Sequence, residues 1–435
     1  MVLIENLNYF PFFPIKFERN ENKYFVKNPI TGIHYGLNRD TFRLLNLCDG
    51  QHTYSEIISK LNRIYHTKPD RIVSKSKKIL NILSDEGIVW SRRTSMKKWQ
   101  LTPPNTIFWN LTNRCNLSCV HCAVSAGKSN KLELDLDESY QFIDEISKLG
   151  VQNIMFTGGE PMIDASKFFK IAEYARSHDL SLQLATNGTL ITKRIALMLK
   201  KLSINIHISL DGATSMVHDK IRRISGAWEK TRSGIKHLRE FDVQFLIATV
   251  VTKINIHQIP LIYEFAIKLG AQSFRIIPFI PFGRGRQIID LEVDPKEMKE
   301  LCINMRNREK KSKLQIKPMA FECLLYPPLE YSDSEGQIGC KGARHYCTLT
   351  STGEILPCNY FIGVKADNIR EHNFNWIWKN SNFLNYFRSL TNSDIQGKCQ
   401  SCSWLSNCRG GCIAVNFAHK NIFQSNYQCW LNNHE

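Results

Sequence analysis

Three cysteines lie in a short polar segment that follows the strand-like run 107–111. Cys115, Cys119 and Cys122 are separated by three and two residues. Thiolates at such loop spacings hold iron–sulfur clusters, and three of them leave the fourth iron of a 4Fe-4S cubane without a protein ligand. The alternative is zinc, which takes a closed set of four ligands in structural sites, and His121 adjoins Cys122 too closely to point at the same metal. The spacing therefore favours a cluster with one open iron.

A glycine pair and a carboxylate follow the predicted strand 153–156. The segment 157–161 reads TGGEP. Two glycines at a strand end let the backbone approach a ligand closely, and Glu160 offers a carboxylate to a cationic group. On its own the segment is also compatible with an ordinary turn; its position after the cysteine loop makes the pair of motifs more specific.

Together the two segments resemble the radical S-adenosylmethionine (SAM) superfamily, whose members carry CX3CX2C and GGEP motifs. The resemblance implies that a 4Fe-4S cluster binds at the three cysteines and that its open iron chelates the methionine end of SAM. One electron, from an external donor such as flavodoxin or ferredoxin, then splits the cofactor to a 5′-deoxyadenosyl radical. The resemblance also assigns the methionine amino group to Gly158, Gly159, Glu160 and Pro161.

Strand-like and helix-like segments alternate from about residue 105 to 290. Helical apolar periodicity covers 136–149 and 255–269, and each of these segments ends before a glycine. Six βα units with right-handed crossovers predict an α/β fold, a partial (βα)6 TIM-like barrel. Ligands of such sheets bind at the C-terminal ends of the strands. The predicted strands are 107–111, 153–156, 181–185, 204–209, 244–250 and 273–277.

Further polar residues follow these strands. Asn187 follows the third, and Ser209 and Asp211 lie at the end of the fourth. All three can hydrogen-bond sugar hydroxyls or the methionine carboxylate, although each stretch is also compatible with a plain turn. The following HDKIR segment resembles a family segment in which an arginine approaches the cofactor carboxylate. This points to Arg222, but Arg223 stands where glycine is usual and leaves the choice of arginine open.

Two arginines follow the last predicted strand. Arg284 and Arg286 alternate with glycines that allow a tight backbone path. They are candidates either for a substrate channel or for an ordinary surface.

The N-terminal residues 1–95 are predicted to form a separate module. The β-prone runs 23–27 and 33–37 flank an NPITG turn and predict a hairpin, and three helical segments follow. The module resembles the winged-helix-like PqqD-type recognition domain, in which a leader peptide adds as a strand to the hairpin edge. A winged-helix DNA reader is the alternative, but no helix carries a row of side chains suited to base edges. The residues that carry the resemblance are Leu37, Asn38, Leu45, Asp49, Gly50, Thr53 and Gly87.

Eight cysteines lie in the last hundred residues. Their order, C-x6-C-x10-C and then C-x2-C-x5-C-x3-C-x16-C, resembles the SPASM domain, which carries two auxiliary 4Fe-4S clusters. Two zinc ribbons are the alternative. With the barrel cluster, the resemblance implies three 4Fe-4S clusters in all, and Cys302 and Cys323 are predicted to be structural. The implied ligands are Cys340, Cys347, Cys358 and Cys412 for one auxiliary cluster and Cys399, Cys402, Cys408 and Cys429 for the other.

Length and composition set further limits. At 435 residues the chain has room for several domains, and we predict boundaries at 1–95, 96–310 and 311–435. The net charge of +17 comes from scattered Lys and Arg, and the densest run, 306–313, is typical of a solvated helix face. We therefore predict no nucleic-acid partner. The chain has no apolar run of membrane-spanning length and no secretory signal pattern, so we predict no membrane association and a cytoplasmic location.

The three resemblances together predict a radical SAM maturase that acts on a ribosomally made precursor peptide, whose leader binds residues 1–95. If every auxiliary iron is capped by cysteine, no position remains for a substrate thiolate, which favours a macrocyclic carbon–carbon or ether cross-link between side chains. The alternatives are a thioether-forming maturase, a sulfatase-type maturase of a protein side chain, and a non-catalytic Fe-S or zinc protein that binds nucleic acid. The residues do not identify a catalytic acid or base.

Overall fold

The computed structural model describes residues 9–20, 23–66, 69–92, 101–128, 132–317 and 338–431. Cys323 lies outside these residues. None of the described helices is long and apolar enough to cross a membrane.

The strands of the described chain form three sheets. One pairs β1 with β5, the second has the order β2-β3-β4, and the large one has the order β12-β11-β10-β9-β8-β7-β6-β13-β14. The strands are β1 (Phe10–Phe12), β2 (Phe17–Asn20), β3 (Lys23–Lys27), β4 (His34–Leu37), β5 (Trp90–Arg92), β6 (Thr106–Thr112), β7 (Asn153–Gly158), β8 (Ser181–Thr186), β9 (Asn205–Ser209), β10 (Phe245–Val251), β11 (Ser273–Pro278), β12 (Gln315–Lys317), β13 (Tyr346–Leu349) and β14 (Ile355–Leu356).

Most helices of the described chain begin at a side chain that caps the first turn. In the capping boxes at Thr53 and Asp135, cap and N3 glutamate satisfy each other's backbone amide. The helices are α1 (Arg39–Asn46), α2 (Tyr54–Tyr65), α3 (Pro69–Asp85), α4 (Leu136–Leu149), α5 (Ala165–Ser177), α6 (Lys193–Lys201), α7 (Ser215–Arg222), α8 (Ala227–Glu240), α9 (Ile259–Leu269), α10 (Pro295–Glu309), α11 (Phe374–Asn380), α12 (Asn382–Arg388), α13 (Leu405–Cys408) and α14 (Ile413–Ala418).

The parallel α/β architecture predicted for the middle of the chain is confirmed. Strands β6 to β11 pair with their neighbours in sequence order, and every pairing is parallel. Side chains that point outward from the sheet, such as Ile154, Ile208 and Ile247, are fully buried beneath the helices. The loops that carry the sequence motifs therefore emerge from one edge of the sheet, at the C-terminal ends of the strands.

The sheet continues beyond the six predicted strands. β12 pairs parallel with β11 at one end. At the other end β13 pairs parallel with β6 and antiparallel with β14, so the C-terminal cysteine region begins as an extension of the barrel sheet. These three strands are two to four residues long, which is too short for an alternation pattern to predict them.

The predicted N-terminal hairpin is formed by β3 and β4, and β2 adds a third antiparallel strand. The turn between them is organised by Asn28, whose Oδ1 accepts hydrogen bonds from the amides of Ile30 and Thr31 and whose Nδ2 donates to the carbonyl of Glu86. α1 is capped by Asn38. Most of the buried apolar residues from 9 to 89 form their own cluster, and Phe12, Ile30 and Trp90 belong instead to the large core of the barrel and C-terminal region.

Candidate functional site

The cysteine loop is fixed by its backbone before any ligand is considered. The amide of Ser118 donates to the carbonyl of Arg222 (3.3 Å), and the amide of Val120 donates to that of Ile221 (2.9 Å). The loop therefore rests against the C-terminal end of α7, whose last carbonyls lack partners within the helix. This contact brings the 119 region of the loop next to the predicted Arg222.

Arg284 holds the same loop from the other side. Its Nε donates to the carbonyl of Cys119 (3.0 Å), Nη1 donates to that of Ala126, and its backbone amide donates to that of Cys122 (3.0 Å). Arg284 is thus neither a channel residue nor a plain surface arginine, because its donors fix the cysteine loop. Arg286 donates to the carbonyl of Ala418 in α14 and ties the barrel to the C-terminal region.

The three thiols of the loop each receive a hydrogen bond. Leu117 N lies 3.4 Å from Cys115 Sγ, and Ala126 N lies 3.4 Å from Cys122 Sγ. Arg222 Nη1 lies 3.6 Å from Cys119 Sγ. Burial raises the pKa of Cys115 to about 11 and also raises that of Cys119. Thiolates at this depth therefore need compensating positive charge, which a metal cluster supplies. In the described chain no three His, Cys, Asp or Glu side chains converge on a single-ion site.

The glycine pair after β7 is required by contact with the start of the cysteine loop. A Cβ on Gly159 would lie 2.0 Å from the carbonyl oxygen of Arg114, and one on Gly158 would lie 2.7 Å from that of Thr112. The close approach lets Gly159 N donate to Thr112 O (2.7 Å) and Glu160 N donate to Arg114 O (2.8 Å). The two glycines therefore let the segment after β7 pack directly against the start of the cysteine loop.

The Glu160 carboxylate is buried and accepts three hydrogen bonds from the chain. Oε1 accepts from Met162 N (3.0 Å) and from Thr186 Oγ1 (2.7 Å), and Oε2 accepts from Asn187 N (2.8 Å). Burial raises its pKa, and these donors oppose that rise. Glu160 therefore links the ends of β7 and β8. A cofactor amine that contacts Glu160 would therefore bind a carboxylate that already accepts hydrogen bonds from protein groups at this edge of the sheet.

The Asn187 side chain is also engaged by protein atoms. Its Nδ2 donates to Asn116 Oδ1 (2.9 Å), and its Oδ1 accepts from the amide (2.9 Å) and hydroxyl (2.6 Å) of Thr189. Asn116 belongs to the cysteine loop, so the β8 loop and the cluster loop are connected side chain to side chain. Ser209, by contrast, ends β9 half-buried, and its hydroxyl has no hydrogen-bond partner in the described part of the chain.

Asp211 and Arg222 form a buried ion pair. Arg222 Nη2 lies 2.7 Å from Asp211 Oδ2, and His121 Nε2 lies 3.5 Å from the same oxygen. Burial acts to raise the pKa of Asp211, but Arg222 and His121 overcome it and lower the pKa. Of the two arginines left open by the sequence, Arg222 faces the cysteine loop, whereas Arg223 is exposed. His121 faces Asp211.

Three of the four cysteines predicted for the first auxiliary cluster lie together. Burial raises the pKa of all three thiols; Cys340 and Cys412 add to the rise at Cys358, Cys340 adds to that at Cys412, and the hydroxyl of Tyr346 is hydrogen-bonded to Cys340. Backbone amides also donate to these sulfurs, among them those of Gly342, Tyr360 and Ala414. Hydrogen bonds to sulfur of this kind surround protein-bound clusters.

Cys347 corrects the predicted set. It is fully buried in the large apolar core, and among the described residues the charged group that acts on its pKa is the guanidinium of Arg388. Tyr346 and Cys347 are neighbours on β13, and successive side chains of a strand point to opposite faces of the sheet. Because Tyr346 faces the other three cysteines, Cys347 faces away from them. In the described residues the first auxiliary set therefore has three thiols.

The four cysteines predicted for the second auxiliary cluster lie near one another. Cys399, Cys402 and Cys408 all lie close enough to Cys429 to raise its pKa, which burial and these neighbours bring to about 11. Cys399 and Cys402 flank the end of the 3-10 helix Gly397–Ser401, and Cys408 ends α13. The described residues therefore contain two sets of cysteines, one of three thiols and one of four.

Comparisons with known proteins agree with this arrangement. The family model of the radical SAM superfamily matches residues 109–266, and that of the SPASM iron-sulfur cluster-binding domain matches residues 340–403. An AdoMet-dependent heme synthase of Methanosarcina barkeri is 34% identical, over 72% of this chain and 93% of the relative. The mycofactocin maturase MftC of Mycobacterium tuberculosis is 30% identical, over 73% of this chain and 80% of the relative.

The solved structures of Streptococcus suis SuiB share the fold along nearly the whole chain. SuiB bound to S-adenosylmethionine has a TM-score of 0.65 at 20% identity and covers 96% of this chain and 99% of its own. SuiB bound to precursor peptide SuiA has a TM-score of 0.65 at 17% identity and covers 98% and 99%.

An open-edged parallel sheet with a three-cysteine loop at its C-terminal edge, joined to a cysteine-rich C-terminal region, defines an iron–sulfur enzyme of the SAM-cleaving class. The chain belongs to the radical SAM superfamily and carries a SPASM domain. It is a radical SAM enzyme that uses S-adenosylmethionine and iron–sulfur clusters.

Proposed function

We propose that the chain is a maturase that modifies a ribosomally made precursor peptide. The observation that carries the proposal is the coverage of the SuiB fold, which includes the N-terminal module and has been solved with a precursor peptide. The heme synthase relative leaves more than a quarter of this chain unmatched. An N-terminal module in addition to the barrel and the cluster domain fits a substrate that is bound at a second site, away from the barrel.

The N-terminal module offers a site for a leader peptide. In the described residues β4 pairs only with β3, so its outer edge can accept a further strand. Beside this sheet lies a concave surface lined by Lys23, Tyr24, Arg39, Phe42 and Arg43, together with Leu37 and Asn38. Cationic and aromatic side chains in one groove favour a leader with acidic and apolar residues. We propose that this surface is the leader site of a PqqD-type module.

We further propose three clusters, held by Cys115, Cys119 and Cys122 in the barrel and by the two C-terminal cysteine sets. When bound there, the barrel cluster would pass the electron that cleaves S-adenosylmethionine. The protein's own contribution is positioning: Arg284 fixes the loop, Glu160 and Asn187 join its neighbours, and Arg222 places positive charge beside Cys119. Ser209 is free to contact the cofactor.

The bond formed in the peptide is proposed to be a macrocyclic cross-link between side chains. The prediction of a carbon–carbon or ether bond depended on full cysteine ligation of both auxiliary clusters. Because Cys347 lies apart from Cys340, Cys358 and Cys412, that reason no longer holds for the first cluster, and the thioether alternative gains support. Each of these bonds removes two hydrogens, but only a thioether consumes a cysteine thiol, so alkylation of the product followed by mass spectrometry separates them.

Cofactor cleavage is the first test. The cluster-loaded protein with a reductant and S-adenosylmethionine is expected to release 5′-deoxyadenosine, measured by chromatography. Cys115→Ala should abolish release because it removes a ligand of the barrel cluster, yet it should retain the iron of the auxiliary sets. A Cys48→Ala variant, which changes a buried cysteine of the N-terminal module, is the matched control and should keep activity. Full activity of Cys115→Ala contradicts the assignment.

Leader binding is the second test. The change Lys23→Glu with Arg39→Glu reverses two charges of the proposed groove and should weaken binding of a labelled precursor peptide by about tenfold or more. Fluorescence anisotropy measures the affinity. The matched control is Lys310→Glu with Lys311→Glu, which makes the same charge change at the exposed end of α10. Equal losses in the two double variants show a general charge effect and argue against the groove.

Haem synthesis is the second candidate function, favoured by the 34% identity to the heme synthase of Methanosarcina barkeri. The two candidates differ in substrate, so the same loaded protein is given either the precursor peptide encoded nearest its gene or a haem precursor. Haem formation with no change in the peptide mass overturns the peptide proposal.

A further inference from the structure

The inward face of the barrel sheet carries two cationic side chains, Arg275 and Lys317, in one register row. Ser209, Ala248, Arg275 and Lys317 are successive register partners across β9 to β12. His207, two residues before Ser209, lies one layer deeper, about 7 Å along the strand. Their strand neighbours, among them Ile206, Ile208, Phe274 and Ile276, point outward into the helix-covered core.

Arg275 and Lys317 lie close to His207, which is neutral at ordinary pH. The pKa of His207 is lowered to about 3, first by burial and then by the charges of Arg275 and Lys317. Burial also lowers the pKa of Arg275, and no carboxylate acts to raise it. Within the described chain the Arg275 guanidinium has neither a hydrogen bond nor an ion pair, and Lys317 donates only to Gln315 Oε1 (3.2 Å).

An arginine in this position needs a partner. A guanidinium presents five donors, and a buried charge without a counter-ion is costly. The acidic side chains of the neighbouring site are engaged elsewhere, since Glu160 holds the β8 end and Asp211 pairs with Arg222. Within the described residues Arg275 has no counter-ion, so its guanidinium is available to a molecule that enters the barrel.

We propose that Arg275, with His207 and Lys317, binds a carboxylate of the substrate inside the barrel. A carboxylate matches the planar donor fork of an arginine and can accept two parallel hydrogen bonds from it. Since Arg275 lies in the same row as Ser209 at the cofactor edge, the bound group is held next to the cofactor. The proposed function enters only in naming the substrate as a peptide, whose carboxylate is an Asp or Glu side chain or the C-terminus.

Propionate is the probe, and propionamide is its neutral control. Saturation-transfer NMR with the full-length, cluster-loaded protein is expected to show binding of propionate and none of propionamide. Arg275→Met should weaken propionate binding by about tenfold or more, and Arg275→Lys should restore part of it. Arg239→Met, an exposed arginine on α8, is the matched control. Circular dichroism and iron content identify any variant that misfolds, and Arg275→Lys then carries the test.

Two results overturn the proposal. One is propionate binding that Arg275→Met leaves unchanged. The other is a loss of S-adenosylmethionine affinity in Arg275→Met with propionate binding intact, which assigns the arginine to the carboxylate of the cofactor.

The source of the substrate carboxylate is found with precursor peptides. A C-terminal carboxamide and Asp→Asn or Glu→Gln changes are compared, and the one that lowers affinity in the wild type but not in Arg275→Met marks the bound group. Propionate binding without any peptide binding defeats the proposed function but leaves the anion site.

Discussion

At the scale of single residues, the polar side chains at the edge beside the cysteine loop are held mainly by the protein itself. Glu160, Asn187 and Asp211 were predicted from their places after strands, and the structure brings all three to the edge beside the cysteine loop. Their polar atoms bind neighbouring protein groups, because a polar group buried at a strand end must be satisfied within the fold. A residue type indicates what a side chain can bind, but only the fold shows which partner it has.

His207 and Arg275 face the barrel interior but were not predicted as site residues from the sequence. A lone polar residue in an apolar strand most often packs against its neighbours and has no specific role. The available signal was alternation: the predicted strands 204–209 and 273–277 place these residues at inward positions. Their proximity to each other depends on the register of three strands, which the sequence does not give.

The buried His207 predicts a dependence of stability on pH. Its pKa is about 3 when folded, lowered by burial and cationic neighbours from an ordinary 6.5. Between these values the unfolded chain binds the extra proton, so stability falls as pH falls below about 6.5. Relative to His207→Gln, the wild type should lose about 2 kcal/mol more between pH 7 and pH 5, measured by urea unfolding. His257→Gln, which changes an exposed histidine, is the control; parallel curves for wild type and His207→Gln contradict the assignment.

At the scale of elements, the six barrel strands were predictable because each is an apolar run, and all but β10 are followed by polar or charged residues that were singled out in the sequence. β13 was not, since it is four residues long and pairs with β6, more than two hundred residues earlier in the chain. That omission caused the error at Cys347: once β13 is known to be a strand, Tyr346 and Cys347 must face opposite sides. A ligand set inferred from cysteine order alone does not include this constraint.

The junction of β7 with the cysteine loop predicts the effect of a single methyl group. Gly159→Ala places a Cβ against the carbonyl of Arg114, so the two segments must separate and the barrel cluster should be lost. Iron analysis and electron paramagnetic resonance of the reduced protein should show the auxiliary clusters alone. Gly127→Ala changes a glycine at the end of the same loop that has open space around its Cα, and it should keep all clusters. A full barrel signal in Gly159→Ala means that the junction is not needed for cluster binding.

At the scale of the whole molecule, the N-terminal module is attached to the C-terminal region. A Cβ on Gly87 would lie 2.7 Å from the carbonyl of Lys420, and one on Gly50 would lie 2.8 Å from the ring of Tyr386. The Lys16–Glu354 ion pair (2.6 Å) lies at the same boundary. Two glycines that resembled family hallmarks are thus positions of close contact between distant parts of the chain, a reason that no local pattern reveals.

Arg92 is the buried centre of this contact, and its loss should separate binding from turnover. Its Nη2 donates to the carbonyl of Ser389 (3.1 Å), and its guanidinium lies 5.8 Å from the centre of the Tyr386 ring. In Arg92→Met the module should dock less firmly, so hydrogen exchange should quicken in β5 and α12. The leader groove lies on a different sheet, so the precursor affinity should stay within about twofold while peptide modification falls.

The exposed Arg63 on α2 provides the matched control, because Arg63→Met removes the same charge without touching the boundary and should change neither exchange nor turnover. If Arg92→Met weakens leader binding as much as it slows modification, the N-terminal module contributes only through leader binding at its own surface. Its attachment to the cluster region then has no part in delivering the peptide. If binding is kept and turnover falls, the position of the module relative to the barrel is what brings the bound peptide to the radical.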